Sequence, residues 1–483
     1  MPRPGVLLLC VACQPEPHRP PPWAPAPTDT AAPEGEVPLA ADGWGACATV
    51  RSLRAVSPYS EVAVVEAAAA ADGSDLVLAY EHLVVLVDGT DVLALKPLGE
   101  AAHALVRRRD DGGFAWALPL DGTSQAAILG VGPAPDGGAY LVGTGDALTS
   151  FPDGLPVGGA GEADAFVARV GGDGQLQWVR TLGSAGEDQL AALAPLPDGG
   201  VAVAGALGGE ATVDGVPLAV EGMVNPLLAR YGPDGDLAWA LTVPGAAGVV
   251  GSAAYDTVHD EIVALGTLSG EGTAVFGAGT PAERRIEPGL VDTFVARFGP
   301  DGAFHDLTVS GSSVRGQALA LAPDGAALAG GSLFGVSTFA RGEPGALTLP
   351  TGGDDWFARF EPDGRLGWLD ELRGDAVVRR AAALPDGRVA VLLAYTDEVT
   401  LGAGDDRVRL VAGSSHGGAV VVDTAEGALA CALPLQGDVD PTALAARPDG
   451  GLEVAGTFWD EVGAGTDTLQ AILPQAFQLT LDP

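Results

Sequence analysis

The sequence predicts an all-β chain of repeated antiparallel sheets, and three observations predict it. The 483 residues include 71 glycines and 37 prolines, a proportion typical of many short strands and frequent turns. Alternating apolar residues flank Asp-Gly pairs, which is the pattern of hairpins because glycine supplies the positive φ of a tight turn. These hairpins recur every 58 to 68 residues, so the chain is one structural unit repeated.

Each repeat holds two hairpins and therefore four strands. The first has a Pro-Asp-Gly-type turn, and its turn aspartates are Asp72, Asp136, Asp198, Asp256, Asp324, Asp386 and Asp449. The second has the form Phe-Val-Ala-Arg, Asp-Gly, Trp, and its turn acids are Asp111, Asp173, Asp234, Asp301, Asp363 and Glu426. A shorter hairpin, such as residues 212–218, lies between the two. A four-stranded unit with this period is typical of a β-propeller blade.

The two ends of the globular region supply halves of one hairpin. Residues 477–483 match the first strand of the Phe-to-Trp hairpin, and Asp42 to Cys47 resemble its second half. We therefore expect a seven-bladed β-propeller of four-stranded antiparallel blades over residues 41–483. An N-terminal strand completes the last blade and closes the ring, with Cys47 in the position that Trp178 holds in its own blade.

These repeats resemble the bacterial β-propeller repeat family often labelled SBBP. The closest part is the stretch from Asp164 to Trp178. The resemblance implies the propeller fold and a secreted or surface location, and it implies no particular activity. The Asp-Gly-x-x-x-Trp half also resembles the quinoprotein-type repeat, including the lipoprotein propeller that helps assemble outer-membrane proteins.

The first forty residues indicate export and a tether. Residues 1–12 combine Arg3 with a short apolar stretch, as in a signal peptide, and Cys13 follows directly. Residues 11–13 resemble the lipobox of bacterial lipoproteins, which implies that Cys13 is lipidated and, with Gln14 behind it, held at the outer membrane. A lipid-free secretory signal is the alternative. Residues 13–40 are rich in proline and alanine, which favours an extended stalk.

Charge and composition exclude several function classes. The chain has 63 acidic and 25 basic residues, a net charge of -38, which repels nucleic acids and anionic lipid surfaces. We expect contact with a membrane only through the lipid anchor. The single lysine, Lys96, precedes Pro97, so a phosphate-binding loop ending in Gly-Lys-Ser/Thr is excluded.

Residues that recur at one slot in every repeat are expected to pack rather than to bind ligands. The tryptophans at that slot are Trp116, Trp178, Trp239 and Trp368, with Cys47, Asp306 and Cys431 in the other repeats. We predict interblade wedges. The recurrent arginines are Arg107, Arg169, Arg230, Arg297 and Arg359, for which we predict interblade ion pairs or backbone clamps, with Asp164, Asp292 and Asp354 as partners.

Cys47 and Cys431 are the two cysteines outside the signal and its lipidation site. Secretion permits a disulfide. We predict that the two residues lie on the outer strands of neighbouring blades. Their Cα atoms would then be farther apart than the roughly 7 Å limit for a disulfide, so we expect two buried free thiols.

No residue pattern predicts a catalytic, cofactor or metal site. The six histidines lack zinc-ligand spacing, and no Asp-x-Asp-x-Asp-Gly calcium loop occurs. Residues 413–417 match Gly-x-Ser-x-Gly, but a strand rather than a helix follows, so we treat the match as chance. A pair of carboxylates for glycoside hydrolysis stays open, because the separation of two acids is a three-dimensional property.

These observations favour a non-catalytic, surface-anchored binding module, monomeric, with an envelope protein or glycan as its partner. Polar residues that vary between repeats at equivalent loops are the candidate binding residues. They are Ser124, Gln125, Glu187, Asp188, Gln189, Ser312, Ser313, Arg315, Arg379 and Arg380. The alternatives are an outer-membrane assembly factor and an enzyme, either polysaccharide-acting or quinone-dependent.

Overall fold

The computed structural model describes residues 48–482, apart from several short gaps. The gaps are 57–61, 71–72, 81–83, 89–90, 97–100, 112, 123–125, 153–154, 159–160, 162, 222–223, 312, 350–354, 402–407, 413–415, 465–466 and 472–473. All regular structure in the described residues is β-strand. No helix capable of crossing a bilayer is found in this part of the chain. The expected signal, the tether and Cys13 lie outside the described residues.

Thirty-six strands are described. The strands of the first half are β1 (Thr49–Ala55), β2 (Ala63–Ala70), β3 (Gly73–Tyr80), β4 (Val84–Asp88), β5 (Asp91–Leu95), β6 (Ala101–Arg109), β7 (Phe114–Gly122), β8 (Ala127–Pro133), β9 (Ala139–Gly145), β10 (Asp164–Val170), β11 (Leu176–Leu182), β12 (Gln189–Pro195), β13 (Val201–Leu207), β14 (Ala211–Val213), β15 (Val216–Leu218), β16 (Asn225–Tyr231) and β17 (Leu237–Thr242). Those of the second half are β18 (Ala247–Asp256), β19 (Glu261–Ser269), β20 (Ala274–Phe276), β21 (Arg284–Ile286), β22 (Val291–Phe298), β23 (Phe304–Ser310), β24 (Val314–Leu321), β25 (Ala327–Leu333), β26 (Ser337–Phe339), β27 (Leu347–Leu349), β28 (Asp355–Phe360), β29 (Leu366–Ala383), β30 (Val389–Leu401), β31 (Val408–Val411), β32 (Gly417–Asp423), β33 (Leu429–Ala446), β34 (Leu452–Ala464), β35 (Asp467–Gln470) and β36 (Gln475–Asp482).

The strands form antiparallel groups of four, as the two-hairpin repeat predicts. Four groups are separate sheets, with orders β2-β3-β6-β7, β8-β9-β10-β11, β12-β13-β16-β17 and β18-β19-β22-β23. A twelve-stranded sheet holds the remainder, because β29 and β33 are each 18 residues long and pair with the strand before them and the strand after them. Short hairpins between the second and third strands, such as β14–β15, follow the expectation for residues 212–218.

The first strands of the groups share one irregularity and pack in sequence. We call β2, β8, β12, β18, β24 and the second halves of β29 and β33 the first strands. Each has a β-bulge near its start, and the bulged residues are Val65, Leu129, Ala191, Gly251, Gln317, Arg379 and Thr442. Each first strand contacts the next one, and the second half of β33 contacts β2.

The two ends of the described chain pair with each other. β1 runs antiparallel to β36, from Thr49 opposite Asp482 to Ala55 opposite Phe477. Val50 and Leu53 of β1 pack against the apolar cluster that contains Phe477 and Leu479. An N-terminal strand therefore lies beside the C-terminal strand.

The register of this pair corrects the expectation for Cys47. In the β10–β11 hairpin Arg169 faces Trp178, and the equivalent position in β36 is Thr480. Thr480 faces Ser52, so Ser52 occupies the tryptophan slot and Cys47 lies five residues before it. No turn joins β1 to β36, so no turn residue in the sequence sets this register.

Candidate functional site

The strand order gives every group two chemically different ends. The Pro-Asp-Gly and Asp-Gly turns both lie at one end, which we call the turn face. The other end, the loop face, carries the connection from the second to the third strand and the link to the next group. The recurrent residues belong to the turn face and the variable ones to the loop face.

The recurrent tryptophans join neighbouring groups at the turn face. Each indole Nε1 donates a hydrogen bond to a carbonyl oxygen in the Asp-Gly turn of the next group. The pairs are Trp116–Gly172, Trp178–Pro233, Trp239–Pro300 and Trp368–Ala425, at 2.9 to 3.1 Å. Each ring also covers the turn glycine, Gly174, Gly235, Gly302 or Gly427, where an added Cβ would lie only 2.5 to 2.9 Å from the ring. The prediction of interblade wedges is confirmed for these four side chains.

The recurrent arginines are likewise used within the fold. Each pairs with a carboxylate of its own group; the pairs are Arg107–Asp75, Arg169–Asp136, Arg230–Asp198, Arg297–Asp256 and Arg359–Asp324. The ion pairs thus lie within a group and not between blades as expected. In four of the five, a further nitrogen reaches the next group, as where Arg169 Nη1 donates to the Pro233 carbonyl at 2.8 Å and Arg230 Nη1 to the Pro300 carbonyl at 2.7 Å. Arg359 instead binds Glu361 of its own group. These contacts fit structural clamps and leave no ring of free cations for an anion.

The partner acids of this set differ from those expected. Asp292 accepts a hydrogen bond from Arg341 at 2.8 Å instead of pairing with Arg297. Asp164 starts β10 and is fully buried, while Arg169 pairs with Asp136. Asp354 lies outside the described residues. The ion-pair partners are turn or strand acids because the first hairpin of each group lies directly beside the arginine strand.

Cys431 is disulfide-bonded, which corrects the expectation of a free thiol at this position. It faces Val422 across the β32–β33 pair, as Trp178 faces Arg169, so it does occupy the tryptophan slot. Its partner lies outside the described residues.

The first cluster of candidate binding residues, between the second and third groups, is largely structural. The Asp188 carboxylate is buried and accepts hydrogen bonds from the Ser184 amide, the Ser184 hydroxyl and the Gly208 amide. Burial raises its pKa to about 6 despite these bonds. Glu187 is exposed and Gln189 half-buried. Asp188 thus shapes the loop, and only its neighbours face solvent.

The second cluster is a pair of ion pairs on the first strands. Arg379 Nη2 lies 2.9 Å from Asp440 Oδ1, joining β29 to β33. Arg380 Nη2 lies 2.5 Å from Glu66 Oε2, joining β29 to β2 past the intervening β33. The charge of Glu66 raises the pKa of Arg380 further. Both acids are thus held in ion pairs with arginines.

In the third cluster, Ser313 and Arg315 are half-buried and have exposed apolar neighbours. Arg315 lies with its guanidinium 5.8 Å from the centre of the Phe334 ring. The Phe334 amide donates to the Ser313 carbonyl at 2.9 Å. Ser313 also bridges to Val291, which places the adjacent Leu290 at the same junction. We call Leu290, Ser313, Arg315, Phe334 and Val336 the junction patch.

Three residues of the junction patch were missed by the sequence analysis. The side chains of Leu290, Phe334 and Val336 are 73%, 56% and 58% exposed. The apolar residues inside the loop 332–337 were the available signal. Across the described residues eight large apolar side chains are exposed, and all but Val258 lie in connections of the loop face: Leu148, Leu155, Leu290, Phe334, Val336, Leu347 and Val411. Ser124, Gln125 and Ser312 fall outside the described residues.

The described residues give no support to a metal or nucleophile site. They contain no cluster of three or more histidine, cysteine or acidic side chains suited to a metal ion. His416 Nδ1 lies 2.9 Å from Asp438 Oδ1, and the strand β32 begins at the next residue, as the sequence predicts. Ser414 and Ser415 lie outside the described residues.

Comparison with known proteins yields distant structural similarity alone. No protein-family model matches the sequence, and no curated protein matches it. The WD40 repeats of RRP9 superpose with a TM-score of 0.42 at 11% identity, over 90% of this chain and 99% of that chain. A Bacteroides caccae protein of unknown function gives a TM-score of 0.34 at 11% identity, over 77% and 93%. A glucose dehydrogenase gives 0.33 at 13% identity, over 88% and 99%. At these TM-scores none of the three informs the function.

Proposed function

We propose that this chain is a non-catalytic binding module of the cell envelope that presents its loop face to a protein partner. Residues 1–12 are a signal peptide, Cys13 carries the lipid anchor at the outer membrane, and residues 13–40 form the tether. Residues 41–483 form a closed seven-bladed propeller whose junction patch makes the contact.

Strand pairing and packing support the closed ring. The fold repeats one antiparallel group of four strands, and β1 serves as the fourth strand of the last group beside β36. The contact of β33 with β2 joins the last group to the first. Arg447 adds a polar contact across the same junction, with Nη2 2.7 Å from Asp110 Oδ1.

The observation that carries the binding role is the exposure of large apolar side chains at one junction of the loop face. Phe334 lies over Arg315, Val336 follows in the same connection, and Leu290 adjoins Val291, which bridges to Ser313, so the patch offers apolar surface and one cation. Apolar contact with an adjacent arginine is typical of protein interfaces. Glycan platforms use broad stacked aromatic faces, and this patch has a single ring, so a protein is the favoured partner.

Two valines of equal exposure allow a matched test. Val336 of the junction patch and Val258 of the turn face are both 58% exposed. A photo-crosslinking amino acid is introduced at either position in the mature lipidated chain, which is then irradiated in envelope of the source organism. We expect a discrete protein adduct from position 336 that is absent from position 258. Excess parent chain should compete with this adduct, and excess Phe334→Ser variant should not.

Other outcomes separate the alternatives. The same adducts from both positions would contradict a specific loop-face site. No adduct at position 336, together with retention of the chain on an envelope polysaccharide, would replace the protein partner with a glycan.

A further inference from the structure

The disulfide of Cys431 occupies a slot whose role elsewhere in the molecule is known from the structure. At four junctions this slot holds a tryptophan that donates to the Asp-Gly turn of the next group and covers its glycine. A side chain at the slot therefore points at the turn between the third and fourth strands of the following group.

The group that follows Cys431 is the one without a continuous turn. Its third strand, β36, ends at Asp482, and its fourth strand, β1, begins at Thr49. No turn joins these two strands, whereas an Asp-Gly or Glu-Gly turn joins the third and fourth strands of the other groups. The residue directly before the described region is Cys47.

The burial of Ala48 places the start of the described chain beside Cys431. Ala48 is 7% exposed and belongs to the apolar cluster against which Cys431 packs, together with Leu433 and Leu435 of β33. Cys431 is the sole cysteine in the part of the chain that the structure describes, so its partner is Cys10, Cys13 or Cys47. Of these, Cys47 is adjacent to a residue that packs in the cluster of Cys431.

We propose that Cys47 is the disulfide partner of Cys431 and that the bond fastens the N-terminal strand to the preceding group. The bond joins two neighbouring groups covalently, as the tryptophan contact joins them non-covalently at four other junctions. The sequence analysis expected the Cα atoms of Cys47 and Cys431 to lie too far apart because it placed Cys47 in the tryptophan slot. Ser52 occupies that slot, so the expected distance does not apply. The inference does not depend on the proposed binding role.

The bond forms by a balanced two-electron oxidation. Two thiols lose two protons and two electrons and gain one S–S bond, and an oxidised dithiol protein of the export compartment is reduced to its dithiol form. Because the bond joins residues 47 and 431, it closes a loop that spans nearly the whole domain. A loop of that length removes much conformational entropy from the unfolded chain.

Peptide mapping of the mature chain without reduction tests the pairing directly. We expect one cross-linked peptide pair that contains Cys47 and Cys431, and it should separate on reduction. A pair joining Cys431 to Cys13, a pair between two chains, or a freely alkylated Cys431 would each overturn the assignment.

Thermal unfolding tests the fastening role. Cys47→Ser, Cys431→Ser and the double variant should each lower the thermal midpoint by the same amount, on the order of 5 °C, since each removes the same bond. A phosphine reductant should lower the midpoint of the parent equally and leave the double variant unchanged. Additive losses from the two single variants, or a parent insensitive to a reductant that breaks the bond, would contradict the role.

Discussion

Two carboxyl groups, the buried Asp423 and the half-buried Asp370, lie on neighbouring groups of four strands. Burial raises the pKa of Asp423 to about 7, and the charge of Asp370 adds to the shift. Burial alone raises the pKa of Asp370 to about 6. The folded chain therefore holds protons at these sites at a pH where the unfolded chain has released them.

The Asp423→Asn variant tests this coupling. Because the folded-state pKa is raised, the parent loses stability as the pH rises from about 4 to about 7, and the loss is complete above that range. Asparagine removes the cost of the buried charge, so the variant should gain on the order of 2 kcal/mol at pH 8 and little near pH 4. Urea unfolding at both pH values measures the difference.

Asp363→Asn serves as the matched control. Asp363 is exposed, and its hydrogen bond with Arg365 lowers its pKa. It should give no gain at pH 8. An equal gain from both variants would mean that general charge repulsion, not burial at position 423, is responsible.

The packing role of side chains that recur at one position of the repeat was predictable, but the residues that they contact were not. Repetition of tryptophan and arginine at fixed spacing indicates packing, because every junction needs the same contact. Arg169 pairs with Asp136, 33 residues before it, because the two hairpins of a group lie side by side. That proximity is a property of the folded sheet, so the spacing of charges in the sequence did not identify it.

Among the elements, the bulges of the first strands show what the sequence pattern does not contain. Hairpins were predictable because Asp-Gly turns and period-two alternation are local signals. The bulged residues include Val65, Gly251, Arg379 and Thr442, which share no side-chain property. We attribute the bulge to the packing of the first strands on one another. A bulge increases the twist of its strand at that point.

We expect β1 to contribute to the free energy of unfolding of the whole domain and not only to local order at the N-terminal end. Leu53 packs in the cluster of the last group and faces Leu479. Leu53→Asp places a charge in that cluster and weakens the edge beside β36, so it should cost on the order of 2 kcal/mol. Calorimetry should show a single transition at a lower midpoint.

Arg51→Ala is the control within the same strand. Arg51 pairs with Asp449 and Asp482 on the exposed side, and such surface pairs contribute about 1 kcal/mol at most. If Leu53→Asp changed the midpoint no more than Arg51→Ala, β1 would be a peripheral strand.

At the scale of the whole molecule, the excess of acids should make stability depend on salt. The described ion pairs use most arginines, whereas the chain carries 63 acids against 25 bases. Added salt weakens exposed pairs slightly and screens the larger repulsion among unpaired acids. We expect a higher thermal midpoint in 200 mM NaCl, a Debye length of about 7 Å, than in 10 mM NaCl, about 30 Å.

Sucrose controls for effects of the solute other than screening. It should raise the parent midpoint without changing the difference between the two salt concentrations. Equal midpoints at both concentrations would show that the acids are too far apart in the fold for their repulsion to matter.

The repeated four-stranded architecture was predictable from the sequence, and the exposed patch was only partly so. The period and the turns describe a repeat because each group uses the same local signals. Ser313 and Arg315 were among the candidate binding residues, yet Phe334 completes the patch from another connection. Phe334 lies near Ser313 because Val314 of β24 faces Leu333 of β25. Leu290 belongs to the preceding group and approaches Ser313 only when the groups pack, a relation that a single sequence does not contain.

The pairing of β1 with β36 has a mechanical consequence. If the chain is anchored at its N-terminal end as proposed, a pull on the domain would reach it through the residues before Thr49. Tension there acts on one end of the β1–β36 pair and would separate its hydrogen bonds one after another, from Asp482 towards Phe477. The proposed bond between Cys47 and Cys431 would divert that tension into β33, in the middle of the twelve-stranded sheet. The domain would then resist a pull on its N-terminal end without relying on the β1–β36 pair, which would otherwise peel apart.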